Sequence, residues 1–251
     1  MNYWEILWYG VYSELRTEIA RRFLGFLWWI IEPIMYMAVF YVVFGMALRQ
    51  GGADYVPFLL SGMIAWKWFD GSVRQASGSI PMNAGLVQQI YVPKFLFGLI
   101  QIFSNTFKFL IVLFLLLVFL LLTGKAPSVE WLGLAPVILT HLLLIIAVGL
   151  LLAAVIPFAQ DLKLVVDNLL MLMMFMSGIF FSADQVPESM RAAFEFNPMV
   201  LLISAYREVL LHNQWPLWGA LGYCVMLALP ILGAALLILQ RNERRYPKLL
   251  Y

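Results

Sequence analysis

The stretch "SGSIPMNAGLVQQIYVPKFLF", residues 77–97, decides how the chain is laid out. It is polar in the middle, holds Gln88 and Gln89, and carries no charge until Lys94. Pro81 and Pro93 frame it, one where a helix can begin and one where a helix must stop. On either side the sequence runs apolar for the length of a membrane crossing. A short helix held between prolines and wedged between two crossings has to lie at a membrane face, and the rest of the chain says which face.

Composition excludes a soluble protein. Of 251 residues, 63% are hydrophobic and 12% charged, and the mean hydropathy is +0.89. Soluble domains carry about 25% charged residues. The net charge of +2 comes from short basic clusters and forms no stripe of the kind nucleic acid would require. Cys224 is alone within an apolar run, which leaves no disulfide framework and no thiolate metal site.

A spanning helix takes about 20 mainly apolar residues, and six segments qualify: 23–48, 55–78, 95–122, 131–158, 162–183 and 215–240. Ahead of them, residues 1–22 place Trp4, Leu7, Trp8, Val11, Leu15 and Ile19 on one helical face, with charge opposite. Glu5, Glu14 and Glu18 there argue against a signal peptide and for an interfacial amphipathic helix. Basic residues fix the orientation. With the N-terminus inside, the cytoplasmic side holds ten of them (Arg16, Arg21, Arg22, Arg74, Lys94, Lys163, Arg241, Arg244, Arg245 and Lys248). The outside holds four: Arg49, Lys125, Arg191 and Arg207. The expected fold is thus a single all-α transmembrane domain over residues 1–251, with six spans and both termini inside.

This puts the opening stretch, as a helix over residues 80–93, on the cytoplasmic face, where it suits contact with a soluble partner or serves as a plain connection. The outer segment 184–214 contains two short helical patterns broken at Asn197–Pro198. The second is too short to cross and reads as part of a re-entrant or interfacial pair. Because irregular backbone at membrane depth needs protein or water beside it, this segment is expected to cover the outer mouth of a pathway.

Charges inside the spans are the remaining signal. Lys67, Asp70 and Arg74 follow i, i+3 and i+4 spacing and can neutralise one another. Gln101, Asn105 and Lys108 make a stripe on the third span. Glu32 adjoins Pro33, and Asp167 and Asn168 lie in the fifth. Such residues either join helices by hydrogen bonds or line a path for a hydrophilic substrate. Trp28, Trp29, Trp66, Trp68, Trp131, Trp215 and Trp218 fall near span ends, the ordinary position of an interfacial belt. His141 and His212 carry no site, and no phosphate-binding loop, zinc motif or nucleophile elbow is present. Energy for uphill transport would have to come from a partner or an ion gradient.

Five motifs in order resemble those of the transmembrane subunits of ABC-2 type exporters, in particular the polysaccharide or O-antigen export permeases. "RRFLGFLWWIIEPIMYMAVFYVVFG" (21–45) is similar to their basic–Leu–Gly–Trp–Pro approach to span one, and "YVPFLLSGMIAWKWFDGSV" (55–73) to span two. Residues 79–94 resemble the Asn–x–x–Leu–Ile…Pro segment through Asn83, Leu86, Val87 and Pro93, with Val92 in place of the aromatic. Residues 161–187 resemble span five, although Ser177–Gly178–Ile179 replaces Ser–Pro–Ile. "NPMVLLISAYREVLL" matches an Asn–Pro–(x)8–Arg loop at Asn197, Pro198 and Arg207.

The resemblance implies a transport subunit with no enzymatic activity and no cofactor of its own. It would form a homodimer that pairs with two copies of a cytoplasmic ATPase, which binds ATP and Mg. Residues Asn83, Gly85, Leu86, Gln88, Gln89, Ile90 and Tyr91 would form the coupling helix. Arg21 and Arg22 would meet the diphosphate of an undecaprenyl-linked glycan, and Lys67, Asp70, Gln101, Asn105 and Lys108 would line the channel. Asn197, Pro198 and Arg207 would belong to the outer gate. The setting would be the inner membrane of a bacterium, surrounded by lipid. A drug or lipid exporter of the same family is the alternative, and an ion-coupled carrier, for which no internal repeat appears, the more distant one.

Overall fold

The computed structural model describes residues 2–21, 23–43, 54–89, 92–181, 186–188, 191, 194 and 196–249. Among the described residues all regular structure is helical. The order is α1 (Tyr3–Arg21), a 3-10 turn (Gly25–Leu27), α2 (Trp28–Phe40), α3 (Tyr55–Met82), α4 (Ala84–Gln89), α5 (Phe95–Leu122) and α6 (Leu134–Val155). Then follow α7 (Leu162–Met176), α8 (Pro198–Leu211), α9 (Trp218–Asn242) and α10 (Tyr246–Leu249).

Four segments among the described residues are long and apolar enough to cross a membrane: Gly25–Val43, Phe95–Leu122, Val129–Phe158 and Trp218–Asn242. Two more helices occupy the places of the other expected spans, and each departs from a plain crossing for a physical reason. The 28 residues of α3 are long enough, but Lys67, Asp70 and Arg74 interrupt their apolar character. The 15 residues of α7 rise about 22 Å at 1.5 Å each, short of a hydrocarbon core of about 30 Å. Positions 44–48 and 182–183 of the expected spans lie outside the described residues.

The core forms where α3, α5 and α6 meet, with α9 laid along α6. At its centre Trp68 stacks on Phe109 at 4.0 Å, a contact worth about 1 kcal/mol beyond burial. His141 meets the edge of Trp68, and its Nδ1 lies 3.4 Å from the Tyr206 hydroxyl. This corrects the expectation of an interfacial belt for two tryptophans: Trp66 and Trp68 are wholly inside the core, and the Trp68 indole donates to Thr106 Oγ1 at 3.2 Å. Trp215 and Trp218 are exposed, as a belt requires.

The helix break also differs from the expectation. α3 runs through Pro81 to Met82, so the proline sits in the last turn of α3 and does not begin a new helix. The turn comes at Asn83, whose side-chain amide donates to the Ser79 carbonyl at 2.8 Å, and α4 begins at Ala84 and is described to Gln89 within the expected 80–93. α1 follows the expected bounds; Leu7 and Val11 bury against Leu96 of α5 while Trp4 and Trp8 stay exposed.

The connections sort to two ends of the bundle. At one end the Lys125 ammonium pairs with Asp54 at 2.9 Å, and Ser128 and Trp131 both donate to Asn213 Oδ1. α8 lies at this end, against the start of α3. At the other end α4, the turn at Ile156–Phe158 and α10 gather.

Candidate functional site

A groove of about 330 Å3 opens between α1, α2, α3 and α5. Four of the five channel candidates line it: Lys67 and Asp70 from α3, Asn105 and Lys108 from α5. They converge because α3 and α5 pack side by side and their polar residues recur at steps of three and four, which keeps them on one face. Gln101 does not line the groove; its backbone carbonyl accepts from the Asn105 amide at 3.0 Å. Glu18, Glu32 and Gln75 add oxygens, and Trp29, Tyr36 and Trp68 supply aromatic wall.

The charges are paired, though in a pattern that spacing along one helix did not show. Arg74 does hold Asp70, at 2.7 Å, but its other partner is Asp167 of α7, at 2.9 Å. Lys163 approaches the same carboxylate at 3.8 Å. Lys67 reaches across to Glu32 at 3.3 Å and lies over the Tyr36 ring. Lys108 pairs with Glu18 of the interface helix at 2.9 Å, and Asn105 donates to Gln75 at 2.8 Å. Paired in this way, the groove carries many hydrogen-bonding groups, and each of its lining charges has a partner of opposite sign. Among the described residues no three His, Cys, Asp or Glu side chains converge where a cation could sit.

At the end of the bundle marked by Asn213, the gate candidates are joined by backbone. Asn197 caps α8, its side chain accepting from the Met199 amide at 2.9 Å, and Pro198 occupies the first turn, where a missing N–H costs nothing. The Asn197 amide in turn donates to the Met176 carbonyl at 3.1 Å. α7 ends there because Gly178 takes a left-handed φ of +69°, so the helix stops short of residue 183, the expected end of the fifth span. The freed carbonyls are taken up by Arg207, which is buried and donates to Gly178 at 2.8 Å, Ile179 at 2.9 Å and Phe58 at 3.2 Å. Its guanidinium lies over the Phe58 ring, and a Cβ at Gly62 would sit 2.6 Å from Nη2, so glycine makes the room. The family resemblance placed Arg207 at an outer gate but could not show that its side chain caps the end of α7. The first helical pattern of that loop falls mostly outside the described residues.

At the other end α4 presents one buried and several exposed residues. Val87 faces inward; Gly85, Leu86, Gln88 and Gln89 face outward, and Asn83 is half-buried at the turn. Ile90 and Tyr91 lie outside the described residues, as does Arg22; Arg21 is exposed at the end of α1. Lys94, nearly buried, donates to the Val92 carbonyl at 2.9 Å, and burial holds its ammonium below the ordinary lysine range despite the attraction of Glu243.

A family model described as ABC-2 type transporter matches residues 7–211, which takes in α1 from Leu7 onward, the polar groove, α4 and the Arg207 clamp. An O-antigen export system permease protein from Myxococcus xanthus is 26% identical over 238 residues, 94% of this chain and 92% of its own length. A permease of the same name from Klebsiella pneumoniae is 25% identical over 90% of this chain and 85% of its own. The polysialic acid transport protein KpsM of Escherichia coli is 26% identical over 92% of this chain and 90% of its own. With four crossing-length helices among the described residues, a polar groove walled by two of them together with α1 and α3, and a family match over most of its length, the chain belongs to the ABC-2 type transporter family as a multi-pass membrane permease.

Proposed function

We propose that the protein is the membrane-spanning subunit of an ATP-driven exporter of a lipid-linked polysaccharide in the inner membrane of a bacterium. The observation that carries this reading is the groove: paired charges, amides and aromatic rings at the depth of the spans. Sugars offer hydroxyls to carboxylates and amides and stack their ring faces on aromatics, so a glycan finds partners along the whole wall. A purely apolar drug or lipid would leave Lys67, Asp70 and Asn105 without use, which favours the glycan over the alternative of the same family. The names of the relatives, which export O-antigen or transport polysialic acid, point the same way.

In this reading α3 and α7 complete six crossings, with both termini in the cytoplasm. α8 and its Asn197 cap form part of the outer gate, and Arg21 and Arg22 meet the lipid diphosphate. The unit is a homodimer bound to two copies of a soluble ATPase that supplies ATP and Mg, and α4 is where that ATPase seats. The experiment is purification from native membranes in mild detergent, with partners identified by mass spectrometry. The expected result is an ATPase in near-equal amount, lost when residues 85–90 are replaced by a Gly/Ser linker. Absence of any ATPase at every detergent strength would overturn the reading.

A further inference from the structure

The family match stops at residue 211, yet the last described residues of the chain fold back onto α4. After α9 the backbone turns at Glu243–Arg245, and α10 packs against both α4 and the turn at Ile156–Phe158. Tyr246 anchors this hook. It is wholly buried, its hydroxyl donates to the Ala154 carbonyl at 3.0 Å, and its ring meets Phe158 edge-on at 5.5 Å. Tyr246 shares one apolar cluster with Val87 of α4, Ile80 of α3 and Leu239 of α9. A helix this short does not hold its own shape in water. α4 therefore owes its position to what packs beneath it, and the hook is part of that bed.

The outer faces of the two elements are complementary in kind. α4 bears no charge, and Leu86 and the adjoining Met82 project from it, 48% and 79% exposed. Beside them the hook bears Arg244, Arg245 and Lys248, all exposed. An apolar centre with a polar, charged rim is the layout of a protein-docking surface; an interfacial lipid surface combines apolar and basic residues as well, and the test below separates the two.

We propose that α4 and the C-terminal hook form one docking surface, in which the hook holds α4 in place and offers a basic rim to an acidic patch on the soluble ATPase. The proposal rests on the exporter reading given above. The rim supplies the long-range attraction that an uncharged α4 lacks, so it governs capture and its dependence on salt.

The test uses the full chain with its ATPase in detergent, measuring affinity at low and high salt. The variants are R244Q/R245Q/K248Q, its Glu counterpart, and the Gly/Ser replacement of residues 85–90. The neutral triple is expected to weaken binding about tenfold or more at low salt and to abolish most of the salt dependence, the Glu triple more so. Wild-type affinity from both triples, with the α4 replacement still abolishing binding, overturns the proposal and leaves the exporter reading intact. Full binding by all three variants overturns both. Triples that keep the ATPase but lose co-purified anionic phospholipid overturn the proposal in favour of a lipid-binding hook.

Discussion

Arg207 occupies a position where a buried cation is tolerated only because backbone carbonyls from two distant segments surround it. Replacement by alanine leaves the carbonyls of Gly178 and Ile179 without the guanidinium donor, while Phe58 keeps its bond from the Ser61 hydroxyl, at a cost of about 3 kcal/mol if one or two stay unsatisfied. Arg207→Lys keeps the charge but not the planar fork, so its loss is smaller than that of alanine and larger than zero. Thermal unfolding in detergent checks this, with the order wild type, lysine, alanine; identical melting curves would mean that the clamp contributes nothing to the fold. The sequence marks Arg207 only through its place ten residues after Asn197. Its partners lie 149, 29 and 28 residues away, beyond any local periodicity.

Among the elements, the interface helix is tied to the bundle by the pair Lys108 with Glu18, both mostly buried. A double-mutant cycle with Lys108→Met and Glu18→Gln is expected to return a coupling energy on the order of 1 kcal/mol. The same variants should speed tryptic cleavage at Arg16 and Arg21 as α1 loosens from α5; a coupling of zero would assign α1 wholly to its apolar contacts through Leu7 and Val11. Periodicity and run length made α1, α5, α6 and α9 legible, because each depends on one face or one continuous apolar stretch. The stop of α7 was not legible. Its apolar run continues to Phe181, and the helix ends on a glycine conformation and a distant arginine that no window of sequence contains. The groove was half legible: helical spacing showed which residues share a face, while the cross-helix pairs Lys67–Glu32 and Arg74–Asp167 came only from packing.

For the whole molecule, the excess of basic residues at one end predicts which ends are reachable from which side. Cys224 is buried and gives no background to thiol labelling. Cysteines placed at Gly124 or Ser128 are expected to react with a membrane-impermeant maleimide on intact cells, and cysteines at Gln88 or Arg244 only after permeabilisation. Labelling of Gln88→Cys in intact cells would reverse the orientation. The turn at Asn83 has a mechanical corollary for the molecule as a whole. One residue separates α4 from a continuous helix of 28, and that helix carries the Phe58 carbonyl near its far end, where Arg207 grips it. At 1.5 Å per residue this is a rod about 42 Å long, so a tilt of about 5° at the α4 end swings the other by about 4 Å. Between α4 and the α7–α8 junction, the turn at Asn83 is thus the one break before that continuous rod.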